Sequence, residues 1–519
     1  MSVERLLWES DATGLAELIG KGELTPVEAV DAAIARAEAL NPEINAVAEK
    51  LYDRARDRAK SVNRKAPLAG VPFALKDLAI AWKGVPIHSG SRVAANVADF
   101  DSVLVERYLA AGLIPIATST SPELGLRLMT ESARFGITRN PWDLGRTTGG
   151  SSGGASALVS AGVVPIAHAS DGGGSIRVPS ACTGLVGLKP SRGRVPLTPV
   201  ASESWYGFVV DHALARTVRD SALLLDLTHG ADALSPYWAQ PPRKGFAAAA
   251  AAKPKKLKLG SYRRSPLGLP VSAETYAAMD RAEALAREAG HSVEQFEPTG
   301  IDRGFMSDFA KVVAASTAGH LRAEHVRLGR SALGDVERST RVIARLGEVV
   351  TAGELSAAIQ RLHAVSRQLI ADSARFDAVL MPLIAHPPLH VGAMSPRGAD
   401  EAIENMLDRL RLTRLLRIDQ FFGQLLDKSL WFTHWPAIQN VTGQPSIALP
   451  VYMTNSGVPL GIQAVGRIGD EETLLTLAAG IERIDRWDLR RAPFHVPGVD
   501  APKASKPRKS KARKSTPPG

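Results

Sequence analysis

Two turns rich in glycine and serine, GGSSGG at 149–154 and SDGGGSIR at 170–177, flank an apolar stretch and constrain this chain more than any other feature. The stretch has room for a helix after Ser152 and a strand over Val163 to Ala167, and a second short helix can open at Ser175. Turn, helix, strand, turn and helix in that order belong to an α/β layer architecture. Upstream, Val71-Pro72-Phe73-Ala74-Leu75 reads as an interior strand whose last act is to deliver Lys76. The alternation continues elsewhere. Thr25-Pro26 opens an amphipathic helix, Ser102 to Ala111 reads as a helix and Leu113 to Ala117 as a strand. Later, Lys256 to Gly260 and Ser292 to Phe296 read as strands around a helix from Ala273 to Ala289. Helices dominate Arg303 to Ala374, and apolar strands close the pattern at Ser446 to Tyr452 and Gly461 to Val465. Pro236 to Pro254, with alanine at every position from 247 to 252, reads as a surface connection.

Chemistry follows from what the turns carry. A serine hydroxyl must give up its proton during attack, so a nucleophilic Ser175 needs a base. Lysine serves if it is neutral, and burial among apolar groups lowers its pKa towards the working range. Lys76 fits, provided the adjacent Asp77 carboxylate points to the other face of the strand, as alternation predicts. Ser151 fits as a hydroxyl relay between Ser175 and Lys76. The backbone N–H groups of Gly172, Gly173, Gly174 and Ser175 can converge on one oxygen and form an oxyanion hole. Asp171 and Arg177 read as a structural ion pair that fixes the loop.

These residues also carry a resemblance. The run from Gly149 to Pro190 is similar to the signature of the amidase signature family, and KDL at 76–78, TSTSPELG at 118–125, TRNPWDLGR at 138–146, TGQPSIALP at 442–450 and GVPLGIQAVG at 457–466 match in order. The resemblance covers Val3 to Trp487. It implies an α/β/α sandwich around a mixed sheet of about eleven strands, a Ser–cis-Ser–Lys triad falling on Ser175, Ser151 and Lys76, and hydrolysis of a carboxylic amide through an acyl-enzyme without metal or organic cofactor. Ser151 rather than Ser152 is the bridging serine because the family's lies 24 positions before the nucleophile. The chain departs from the family in having Gly172 at the variable position before Gly-Gly-Ser, Thr148 in place of a proline, and no lysine in Ile116 to Thr120. Similarity to 6-aminohexanoate-cyclic-dimer hydrolases within the family suggests a linear or cyclic amide and an apolar pocket using Trp205, Tyr206, Trp431 and Trp435. Two other readings are a glutaminase subunit of a tRNA-dependent amidotransferase and a catalytically idle binding protein.

Other chemistries find little support. Cys182 is the single cysteine, which excludes an internal disulfide and a thiolate cluster, and reads as core. The histidines lack HExxH or any paired spacing, so no metal site is expected, and the glycine runs fit neither nucleotide fingerprint. His386 or His434 could line the pocket, although a structural histidine is the commoner case. No apolar run approaches the roughly 20 residues of a membrane span, and the mixed N-terminal residues do not form a signal peptide, so a cytoplasmic enzyme is expected, monomeric or homodimeric. The formal charge of +10 is concentrated in residues 503–519, which hold seven Lys or Arg and no acid and leave +3 for the rest. The division read from the chain is an amidase domain over 1–497, with a helical segment at 1–65, a signature core at 66–235, a variable region at 255–430 and a core return at 431–497. A basic disordered tail at 498–519 follows, able to touch nucleic acid weakly and more readily dispensable.

Overall fold

The computed structural model describes residues 2–253, 255–395 and 430–493, together with positions 398, 401, 402, 405, 408 and 427. The tail at 498–519 lies outside the described residues. Eleven strands form one sheet: β1 Val47–Lys50, β2 Pro72–Lys76, β3 Ile114–Ser119, β4 Ile166–Asp171, β5 Val186–Lys189, β6 Val210–Ala215, β7 Lys258–Ser261, β8 Ser292–Gln295, β9 Ala378–Pro382, β10 Ser446–Met453 and β11 Pro459–Gly466. Their order across the sheet is β1-β3-β2-β4-β6-β5-β10-β11-β9-β7-β8. The sheet is mixed: β2 runs parallel to β3 and β4, β7 runs parallel to β8 and β9, and the remaining pairs are antiparallel.

Why the centre of the sheet forms where it does is clear from its residues. β2, β3, β4, β5 and β6 are buried at every position, as strands covered on both faces must be, and their apolar runs are interrupted by buried polar side chains, some at the site and others, such as Thr118, Lys189 and His212, outside the cavity wall. Pro72 can sit in β2 because it opens the strand. Helix Pro26–Ile44 starts as its sequence demands, with Thr25 and Glu28 closing a capping box and Pro26 in the first turn. A continuous apolar core joins the sheet to these helices. A second, aromatic-rich core lies where helix Arg303–Leu328 meets the C-terminal segment, around Phe305, Phe309, Tyr262, Phe376 and Trp435.

One expectation is corrected here. The alanine run is not merely a surface connection, because Phe246–Ala251 is a helix with Phe246, Ala249 and Ala250 buried. Alanine is the strongest helix former, Phe246 anchors the helix in the core, and the Asp226 carboxylate accepts from the Phe246 and Ala247 amides at 2.7 Å each.

Candidate active site

Register brings the site together. β2 and β4 are parallel neighbours, with Phe73 beside Ile166 and Ala74 beside Ala167, so both strands end at the same edge and present Lys76 and Ser170 to each other. Lys76 is wholly buried. Its Nζ donates to Ser151 Oγ at 2.8 Å and to Ser170 Oγ at 2.9 Å. Burial pushes the Lys76 ammonium down to about 7, against the opposing pull of the Asp211 and Asp171 carboxylates. Asp77 turns to the other face, as alternation requires. Its carboxylate accepts from the His88 amide at 2.7 Å and the Gly90 amide at 3.3 Å, and burial raises it to about 6 despite those bonds.

Ser151 follows a cis peptide bond with Gly150. Its neighbour Ser152 has a different task, its hydroxyl donating to the Ser170 carbonyl and its amide to the Ser175 carbonyl, at 3.3 Å each, which ties the two turns together. Of the four glycines around the serine pair, only Gly149 needs glycine's backbone freedom, at φ +73°. The others are there for want of space. A Cβ on Gly153 would stand 2.1 Å from Thr130 Oγ1, and one on Gly154 2.4 Å from the Thr120 amide.

The second turn is held from within. Asp171 and Arg177, both fully buried, pair at 2.9 Å, and Asp171 also accepts from the Gly174 amide at 2.7 Å and the Ile176 amide at 3.1 Å. Burial alone would raise the Asp171 carboxyl, but the Arg177 guanidinium holds it well below the usual carboxylate range. This corrects the expected donor set, because the Gly174 N–H is already committed to Asp171. The N–H groups of Gly172, Gly173 and Ser175 have no acceptor among the described residues. Gly172 is also a packing requirement: a Cβ there would meet the Trp205 ring at 3.0 Å. The helix expected to open at Ser175 begins two residues later, at Arg177.

Ser151, Ser170, Gly172 and Ser175 line one cavity of about 550 Å³. Of the aromatic residues expected at the pocket, Trp205 forms part of its wall. The other three do not. Tyr206 projects outward at 42% exposure. Trp435 is packed in the second core with its indole N–H donated to the Arg264 carbonyl at 3.0 Å, and Trp431 lies against the His386 ring at 5.1 Å between centroids. His434 is a satisfied structural histidine, with Nδ1 2.9 Å from Ser265 Oγ and Nε2 2.8 Å from the Trp431 carbonyl oxygen. Thr148 and residues 116–120 are buried away from the cavity wall.

Three residues that sequence reasoning did not single out belong to this region. Ser170 is the second partner of Lys76, and the only signal was its place next to Asp171. Asn440 comes from the far C-terminal segment, donating through Nδ2 to the Asp171 carbonyl at 2.8 Å, the Asp171 carboxylate at 2.9 Å and the Phe208 carbonyl at 3.0 Å. Asp211 reaches the cavity from β6.

The mixed sheet thus sets the buried Lys76 against the hydroxyls of Ser151 and Ser170, which line the cavity together with Ser175. The chain belongs to the amidase family, whose model matches residues 28–475. It is 32% identical over 508 residues to the 6-aminohexanoate-cyclic-dimer hydrolase of Pseudomonas sp. (strain NK87), covering 96% of this chain and 99% of that one. The solved structure of a 6-aminohexanoate cyclic dimer hydrolase complexed with substrate superposes with a TM-score of 0.85 at 32% identity, over 94% of this chain and 99% of the other. A bacterial aryl acylamidase of the amidase signature family gives 0.81 at 26% identity, over 93% and 98%. The protein is therefore a hydrolase of amide C–N bonds.

Proposed function

We propose that Ser175 attacks the carbonyl carbon of a small linear or cyclic amide while Lys76, acting through Ser151, takes up its proton. The observation that carries this reading is the wholly buried Lys76 amine 2.8 Å from Ser151 Oγ, at a cavity that Ser175 also lines. With the amine neutral, the same contact runs the other way: the Ser151 O–H donates to the Lys76 lone pair while Lys76 donates to Ser170. Ser151 is then free to accept the Ser175 proton as it passes its own to Lys76. The carbonyl oxygen becomes an oxyanion against the free amides of Gly172, Gly173 and Ser175. Collapse of the tetrahedral adduct breaks the C–N bond, the relay returns its proton to the leaving nitrogen, and an acyl-enzyme remains on Ser175. Water, deprotonated by the same relay, then releases the carboxylic acid.

The substrate class rests on the likeness to the cyclic-dimer hydrolase and on a cavity wall rich in apolar side chains, among them Ile80, Phe100, Leu197 and Val200. The test is turnover of a panel of linear and cyclic aliphatic amides by wild type and Ser175→Ala. Wild type is expected to release the amine and acid, and Ser175→Ala to lose turnover by about 10⁴-fold or more while keeping its circular dichroism. Substantial activity in Ser175→Ala would overturn the assignment.

A further inference from the structure

Three carboxylates border the cavity, and two of them are engaged elsewhere. Glu324 pairs with Arg327, and Glu203 accepts from the Tyr237 hydroxyl. The third, Asp211, stands opposite Ser170 in the β4–β6 register, and its side chain is 7% exposed. Other buried carboxylates of this region are saturated with donors. Asp171 and Asp77 are described above; Glu471 takes Arg194 and the Ser191 amide, and Asp220 takes the Ala12 and Thr13 amides and the Thr13 hydroxyl. Asp211 accepts no hydrogen bond from any described residue. His168 Nε2 lies 3.4 Å from its Oδ2 but outside hydrogen-bond geometry, and that nitrogen is itself without a partner. The Lys76 amine is turned to Ser151 and Ser170 instead.

A buried carboxylate whose nearest N–H, on His168, stands 3.4 Å away and outside hydrogen-bond geometry is under-satisfied and costly, and such groups persist at sites where a ligand supplies a further bond. We propose that Asp211 is a specificity-determining residue of this cavity, its carboxylate receiving an N–H group of the substrate other than the scissile one, a primary ammonium best of all. This rests on the cavity being the amide site proposed above. The apolar wall accepts a methylene spacer, and Asp211 fixes the amine at its end. The carboxylate therefore favours amides of amino acids with an alkyl spacer over plain alkanamides of the same length. A ligand lacking the N–H offers the Asp211 carboxylate no such bond.

Calorimetric titration of short ω-aminoalkanamides, propionyl to hexanoyl, each beside the methyl-terminated alkanamide that matches it in length, tests this in the Ser175→Ala protein and in Ser175→Ala/Asp211→Asn. At least one amino amide is expected to bind about tenfold or more tightly than its alkyl counterpart, and the advantage to fall below about twofold in the double variant. Equal binding of the two series, no measurable binding of any amino amide, or a preference that survives Asp211→Asn overturns the proposal. The first comparison stands even if the double variant fails to fold. Binding to Ser175→Ala does not depend on which serine attacks, so lost preference counts against Asp211 alone. A wild type that binds these amides and hydrolyses none counts against the chemistry.

Discussion

At the residue scale, the account depends on a lysine that can be neutral near physiological pH. Burial drives the Lys76 pKa down to about 7, and the reactive form is the deprotonated one. The sign is then fixed: kcat/KM should rise with pH through a midpoint near 7 and fall away on the acid side. Lys76→Ala should lower kcat/KM by about 10²–10⁴-fold, the usual worth of a positioned base, and a mild loss across the whole pH range would contradict its role. The grouping of Lys76 with Ser151, and of Ser151 with Ser175 at one cavity, was legible in the sequence because each residue is embedded in a local pattern, a strand end or a glycine turn. Asp211 and Asn440 were not legible. The first reaches the cavity by strand register and the second braces Asp171 from a distant segment of the chain, and neither relation leaves a trace in local spacing.

At the scale of elements, the turn that carries Ser175 is braced by a buried network. Arg177 binds Asp171, Gln439 Oε1, Gln463 Oε1 and the Pro436 carbonyl. Arg177→Leu would leave Asp171 as an unpaired buried charge and should cost about 3–5 kcal/mol, read as a lower urea midpoint. A midpoint within experimental scatter of wild type would show the network to be idle. A second prediction concerns Glu482, on helix Glu471–Asp485, whose carboxylate accepts from the Val218 amide at 3.0 Å and so ties that helix to the start of helix Val218–Thr228. Burial raises its pKa to about 8, above the ordinary 4.5. The folded state thus holds a proton that the unfolded state gives up, and this contribution is complete below about 4.5 and lost as pH rises through about 8. Glu482→Gln should flatten the decline of Tm between those limits, and an unchanged Tm–pH slope would refute it. Strands and helices with strong patterns lie close to where the sequence places them. The alanine run was misread because a short apolar helix and an apolar linker look alike until Phe246 is seen to be anchored.

At the scale of the whole molecule, the sheet order explains why distant segments share one site: β4 and β6 are neighbours, and β5 carries the sheet on to β10 and β11. The sequence resemblance already implied a mixed sheet of about eleven strands, since the matching segments run through the whole chain. The order in which those strands pair could not be read from them, because pairing is settled by packing across the sheet. Charge is distributed at this scale too. The seven basic residues of 503–519 lie beyond the family match at 28–475, and all residues assigned a chemical role lie within it. Truncation after Pro502 should therefore leave kcat/KM within about twofold while weakening retention on a cation exchanger. A large loss of activity would assign the tail a part in the reaction.

The central claim is that Ser175 is the nucleophile and Lys76 its base. Labelling with a fluorophosphonate across a pH series, read by intact mass and peptide mapping, tests both without knowledge of the substrate. A single adduct on Ser175, formed at a rate that rises through a midpoint near pH 7, is the predicted result. An adduct on another residue, or a rate at Ser175 that is flat across that range, would contradict it.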